Sequence, residues 1–161
     1  SALEGSRLQT ILSAEVVIFA FRWQPWSADR MGQTIAALGL RPDQTVIVFG
    51  IKGFESNPRR LLSLRGGALG DAKTTPSPDY LETDRRLRTA LPPRARFIDI
   101  HAIGCDRRRA CPIFTPEGAL VSADGAHLTQ QGSRYLGGLL FADPALSLYR
   151  RRADNSANSA K

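Results

Sequence analysis

A chain of 161 residues, 42% hydrophobic and 23% charged, has the balance of one folded domain: too short for a second full core, too apolar for a disordered chain. Its net charge is +7, and all of its 22 basic residues except Lys52, Lys73 and Lys161 are arginines. Such a charge suits nucleic acid, anionic lipid headgroups or an acidic polysaccharide and does not choose among them.

The longest apolar stretch, Val16 to Phe21, is bounded by Glu15 and Arg22, far short of the roughly 20 residues of a membrane helix. Ser1 to Thr10 carries Glu4 and Arg7 and no apolar run, so it does not read as a secretory leader, and any export or anchoring signal is expected outside this chain. The arginine clusters Arg85-Arg86-Arg88, Arg107-Arg108-Arg109 and Arg150-Arg151-Arg152 are scattered, with neither interleaved aromatics nor zinc-ligand spacing. They read as solvated surface, and no nucleic-acid partner is expected.

In chain order, Leu3, Leu8, Ile11 and Leu12 fall near helical spacing and lead into a β-branched and aromatic run, Val16–Phe21: a helix followed by a buried strand. Ser27 or Asp29 can cap a helix through about Leu38 that turns Met31, Ile35 and Leu38 inward, with Gly39 as its stop and Pro42 just beyond. A second buried strand spans Thr45–Gly50. From Ile51 to Pro78 the pattern dissolves into Gly, Pro, Ser and Arg, apart from Leu61-Leu62-Ser63-Leu64; a loop of that length is either mobile or a cover for a substrate. Asp79 opens an amphipathic helix with Leu81, Leu87 and Leu91, ended by Pro92-Pro93, and a third strand covers Arg96–Ile100.

Short, fully apolar strands alternating with helices predict a parallel sheet covered on both faces, an α/β three-layer sandwich. Thr129 reads as the N-cap of a last helix that buries Tyr135, Leu136, Leu139 and Leu140. Residues 1–150 are expected to form one domain and residues 151–161 a polar, flexible tail.

Cys105 and Cys111 enclose five residues. A metal site would need two more soft or imidazole ligands, and the two histidines, His101 and His127, do not give the paired spacing of a zinc fold, so no metal is expected. A disulfide that pins a local hairpin in an oxidising compartment, or two free thiols, remain. Between this loop and the last helix lies Ser122-Ala-Asp-Gly-Ala-His-Leu-Thr129, with Asp124 three residues before His127 in a turn made compliant by Gly125. At that spacing a carboxylate can bond one imidazole nitrogen while the other points outward as a general base. The same pair also suits a plain turn aspartate and a solvent-facing histidine. His101, after a strand end, reads as an ordinary loop histidine.

Taken together, the strand ending in Ala20-Phe21-Arg22-Trp23, the two further strands, the cysteine pair and Asp124-Gly-Ala-His127-Leu-Thr-Gln-Gln-Gly132 resemble, in this order, the later part of an SGNH (GDSL-type) esterase and acyltransferase domain. The likeness runs from about Val16 to Leu140 and is closest to the periplasmic SGNH domains fused behind membrane-embedded acyltransferases that O-acetylate bacterial surface polysaccharides. It implies an SGNH or flavodoxin-like fold, incomplete here at its N-terminal side, whose site sits at the carboxyl ends of parallel strands. His127 would be the general base and Asp124 its orienting acid. Cys105 and Cys111 would be bridged, and Arg22 and Trp23 would lie at the strand mouth near the substrate, in the same depression as the Asp124–His127 pair. The substrate would be an acyl ester or carbohydrate, with no metal or organic cofactor. The partner would be a membrane acyltransferase domain of the same full-length protein, which places the chain in the periplasm on an inner-membrane protein.

The sequence departs from that pattern in three places. Phe21 stands where alanine is usual. No Gly-Asp-Ser occurs: Gly5-Ser6 lacks a preceding strand and Gly70-Asp71 is followed by Ala72. The Gly-x-Asn-Asp block that supplies an oxyanion-hole asparagine in many relatives is also absent, so the nucleophile stays unassigned. Either the chain is the C-terminal part of a longer protein, which its opening on an amphipathic helix favours, or it is a degenerate copy. In the second case it would be a carbohydrate-binding or interaction domain, with Trp23 and Trp26 as stacking surfaces.

Overall fold

The computed structural model describes residues 2–55, 72–144 and 146. They fall into two compact units, Ser1–Ile51 with Pro78–Ile100, and Lys52–Ser77 with His101–Lys161.

The first unit holds a parallel sheet of three strands, β1 (Val16–Phe19), β2 (Thr45–Phe49) and β4 (Ala95–Ile98), in the order β1-β2-β4. Val16 lies opposite Thr45, and Val46 opposite Ala95. The helices that flank it are α1 (Ala2–Ser13), α2 (Pro25–Asp29), α3 (Met31–Ala37) and α4 (Pro78–Ala90). β2 is central and buried on both faces, as its unbroken Val46-Ile47-Val48 run requires, and Met31, Ile35 and Leu87 bring the helices onto the sheet. The α/β reading therefore holds, with parallel strands and covering helices.

β1 departs from it in one respect. Val17 and Phe19 are buried but Ile18 is 48% exposed, because β1 is an edge strand among the described residues and one of its faces lacks cover. The strand also stops at Phe19 rather than Phe21. Trp23 turns into the core, 5% exposed, and its Nε1 donates to the Phe49 carbonyl at 2.7 Å, which draws the chain off the strand line.

The helix expected through Leu38 is two helices. Pro25 occupies the first helical position, Gln24 caps α2 through a reciprocal pair of bonds with Ser27, and the helix pauses at Arg30 before α3. Gly39, at φ +60, is the expected stop. Two buried polar side chains tie elements that sequence reading leaves separate. Gln44 donates to the Ile11 and Ala14 carbonyls at the end of α1, satisfying acceptors that a helix end leaves open. Asp84 of α4 accepts from the Ile51 amide at 2.8 Å, and a Cβ on Gly50 would stand 2.9 Å from its carboxylate, so glycine is needed there.

In the second unit, β3 (Lys73–Thr74) runs antiparallel to β5 (Cys111–Pro112), and the ladder continues through the bridges Phe114↔Leu120 and Ser122↔Leu128. α5 (Ile100–Gly104) begins where the third strand was expected to continue, so that β4 ends at Ile98. α6 (Gln130–Ala142) closes the unit, and Thr129 caps it as expected, its side chain accepting from the Gly132 amide. Of the four residues expected to be buried on α6, only Leu136 is; Tyr135, Leu139 and Leu140 are half-buried. The stretch expected to be one long loop contains β3, while the Leu61–Leu64 stretch and the tail 151–161 lie outside the described residues.

Replacing Trp23 with Phe removes the Nε1 donor along with part of the ring volume and strands the Phe49 carbonyl. Trp23→Phe should cost about 1–3 kcal/mol, the penalty of an unmet buried polar group, read as a lower midpoint in urea unfolding at unchanged slope.

Candidate functional site

The Asp124–His127 turn belongs to the second unit, and its geometry follows from the residues that build it. Asp124 Oδ1 accepts from the amides of Ala126 at 2.9 Å and His127 at 2.7 Å, while Oδ2 meets the His127 ring nitrogen Nδ1 at 2.7 Å. One carboxylate thus closes the turn and orients the imidazole. Gly125 sits at φ +89, a conformation that a side chain would strain. Ser122 braces the turn from below, donating to the His127 carbonyl at 2.8 Å and accepting from the Gly125 amide at 2.9 Å.

The residues after His127 are equally constrained. Thr129 Oγ1 bonds Gly132 N at 2.9 Å, and a Cβ on Gly132 would stand 1.9 Å from the Val121 carbonyl. The first turn of α6 therefore lies directly on the strand that enters the Asp124–His127 turn. The spacing Asp-x-x-His-x-Thr-x-x-Gly is one physical unit: turn, ring, helix cap and close approach.

Two bonds from the segment Lys52–Glu55 hold the turn from the side, and a third ties that segment to Thr75. Phe54 N donates to Gly125 O at 2.9 Å, Lys52 Nζ donates to Ala126 O at 3.1 Å, and Glu55 N reaches Thr75 O at 2.8 Å. Behind that segment stands His101, fully buried on α5 rather than in a loop. Its Nε2 bonds the Gly53 carbonyl at 2.8 Å, and since a carbonyl only accepts, Nε2 carries the proton; its ring meets Phe54 edge-on at 5.9 Å. His101 thus positions the segment that holds the turn.

The electrostatics match the geometry. The His127 amide first, then the His127 ring and the Ala126 amide, hold the Asp124 carboxyl well below the usual carboxylate range. Asp124 stays ionised at neutral pH, so Nδ1 must be the donor and Nε2 the acceptor in the neutral ring. The His127 side chain is 79% exposed, and Nε2 has no hydrogen-bond partner among the described residues. Such a nitrogen can take a proton from an incoming hydroxyl.

Arg22 and Trp23 belong to the first unit. Arg22 is exposed, whereas Trp23 is buried with its N–H committed to Phe49. The exposed aromatics of that unit are Phe21, whose ring stands edge-on to Trp23 at 5.2 Å, and Trp26. Cys105 and Cys111 are bridged. The serine nearest the histidine in sequence, Ser122, is buried and spends its hydroxyl on the turn.

A family model described as the SGNH domain (fused to AT3 domains) matches residues 5–141. No curated protein matches the chain. Among solved structures, the periplasmic domain of a lipopolysaccharide acetyltransferase from Salmonella ser. Paratyphi A has a similar fold, with a TM-score of 0.60 and 18% identity. The match covers 92% of this chain and 62% of that one.

Two outcomes follow from the turn. Gly132→Ala should destabilise the chain by about 1–3 kcal/mol, since a backbone carbonyl must move to admit the methyl. In a carbon-detected NMR titration, the Asp124 carboxyl should protonate below its ordinary value of 3.8. A depressed folded value means that the carboxylate's contribution to stability is complete above the unfolded value and is lost as the pH falls through the folded one.

Proposed function

This chain belongs to the family of SGNH domains fused to AT3 domains, and on that premise we propose that it is the C-terminal part of an esterase or O-acyltransferase domain acting on acetyl groups of bacterial surface carbohydrate. The observation that carries this reading is the 2.7 Å bond from Asp124 to His127 Nδ1, which leaves Nε2 open. Residues 1–150 form the C-terminal portion of one such domain in this proposal.

The serine comes from a segment that the 161 residues do not contain, because no Gly-Asp-Ser occurs in them. His127 Nε2 takes the serine proton as Oγ attacks the acyl carbonyl, and the imidazolium that forms is stabilised by ionised Asp124. Nε2 then returns the proton to the departing alkoxide. In the second step it deprotonates a sugar hydroxyl or a water, which takes the acyl group from the serine. No metal or organic cofactor enters either step. Arg22, exposed after the end of β1, and Trp23 are the proposed substrate-contacting residues.

A periplasmic setting on a membrane acyltransferase is supported by the Cys105–Cys111 bridge, since disulfides persist in oxidising compartments, and by the family's fusion to AT3 domains. Among the described residues no helix is long and apolar enough to cross a membrane, so a membrane segment would lie elsewhere in the full-length protein. The second reading, a carbohydrate-binding domain without catalysis, draws on the exposed rings of Phe21 and Trp26.

The test joins the chain to its upstream segment. The joined protein should transfer or hydrolyse acetyl groups on a carbohydrate, and His127→Ala should lower turnover by about 10²–10⁴-fold, the usual worth of a positioned base. The 161-residue chain alone should turn over no acetyl ester. Retained turnover in His127→Ala rejects His127 as the base, and a joined protein without turnover that still binds the carbohydrate favours the second reading.

A further inference from the structure

The positive charge of the chain is not spread evenly. Residues 52–77 and 101–161 carry 13 arginines and lysines against seven aspartates and glutamates, whereas the rest of the chain carries nine against eight. In the first unit four of the nine arginines pair with acids among the described residues: Arg41 with Asp43, Arg85 with Glu82, Arg86 with Asp29, and Arg88 with Asp99. Most of that excess lies on residues outside the described ones; among the described residues of the second unit, Lys52, Lys73, Arg107, Arg108, Arg109 and Arg134 stand against five acids.

The ladder of the unit that holds the Asp124–His127 turn brings the arginines of the disulfide loop to the same end as that turn. β5 starts at Cys111, directly after the loop Asp106–Ala110 that the Cys105–Cys111 bridge closes. The strand that pairs with it through Phe114↔Leu120 runs the other way, with Val121 N bonded to Ile113 O, and it enters the turn at Ala123. The disulfide loop and the Asp124–His127 turn therefore leave the same end of the ladder on adjacent strands, whose spacing is about 5 Å.

The acidic groups at this end are engaged. Asp106 accepts from the Arg108 and Ala110 amides and pairs with Lys73 at 3.0 Å, Glu55 accepts from Thr75 Oγ1 at 3.1 Å, and Asp124 holds His127. Asp106 thereby fixes the loop backbone, Arg109 sits at φ +61, and Arg107 and Arg108 stand exposed with no acidic partner among the described residues. Lys52, on the Ala126 carbonyl, adds a third cation at the turn itself.

We propose that the ligand drawn to this end is an anionic glycan, carrying phosphate or carboxylate groups, and that Arg107 and Arg108 on the disulfide-closed loop are the residues that select it. The proposal names the substrate class for the Asp124–His127 site and rests on the reading of that site given above. A guanidinium pairs with either anion through two parallel bonds, and a loop already ordered by Asp106 and the bridge loses little freedom on binding. A membrane surface fits less well, because Asp106-Arg-Arg-Arg-Ala110 offers no large apolar side chain to insert.

The test is equilibrium binding of the chain, by calorimetry at 50 and 200 mM salt, to poly(glycerol phosphate), polygalacturonate, neutral dextran and vesicles containing phosphatidylglycerol. At least one of the two anionic glycans should bind, more tightly than dextran or the vesicles, and more weakly at the higher salt. Whichever polymer binds better identifies the anion. Arg107→Gln/Arg108→Gln should weaken that binding by about tenfold or more and flatten its salt dependence; the charge-matched control Arg7→Gln/Arg30→Gln, in the first unit, should stay within about twofold. Retention of the Cys105–Cys111 bridge and an unchanged circular dichroism spectrum report that the variants fold. Equal binding of dextran, tighter binding to the vesicles, no binding to either anionic glycan, or equal losses in the two double variants would each overturn the proposal. Because no turnover is measured, this result is independent of whether His127 acts as a base.

Discussion

A single carboxylate carries the geometry on which the site depends. Asp124 presents two oxygens to three donors that approach from the same turn, two backbone amides and one ring nitrogen. Satisfying all three at once fixes the turn and the imidazole together, and each bond favours the ionised form of the acid. The rest of the local structure keeps this arrangement in place: Ser122 below the turn, Lys52 and Phe54 beside it, and the capped first turn of α6 after it.

The two units are stabilised by different means. The first has the ordinary apolar core of a parallel sheet between helices, with Val46, Ile47, Val48, Ile35 and Leu87 out of water. Among the described residues the second buries fewer large side chains, Ile113, Val121, Leu136 and Leu146 among them, and is knit by bonds between remote backbone segments, by buried His101, Thr115 and Ser122, and by the disulfide. A segment held by directional bonds suits a site, since such bonds fix orientation, whereas apolar contacts mainly fix proximity.

What the sequence made legible was local. The run Val46–Val48 declares a buried strand because three successive positions lack a solvent face, and Thr129 declares a helix start because its side chain serves an amide three residues on. Asp124 and His127 are readable together for the same reason: the bonds span two and three residues. The disulfide was open on spacing and favoured only by family likeness. The role of His101 was out of reach, because its partner is Gly53, 48 residues away, and Lys52 meets Ala126 across 74. Ile18 could not be told from its buried neighbours in an all-apolar strand, since exposure there depends on which strand stands at the edge. Trp23 offered a ring suited to stacking, and only the position of the Phe49 carbonyl shows that its N–H is engaged and its ring buried.

Everything proposed for the turn requires His127 to hold its proton on Nδ1 and leave Nε2 open. A long-range proton–nitrogen NMR correlation on ¹⁵N-labelled protein with the ring neutral reads both nitrogens. The account predicts a protonated Nδ1 and an unprotonated Nε2 for His127, and a redistribution between the two tautomers in Asp124→Asn. A His127 ring protonated on Nε2, or one whose nitrogen shifts do not change in Asp124→Asn, would contradict it.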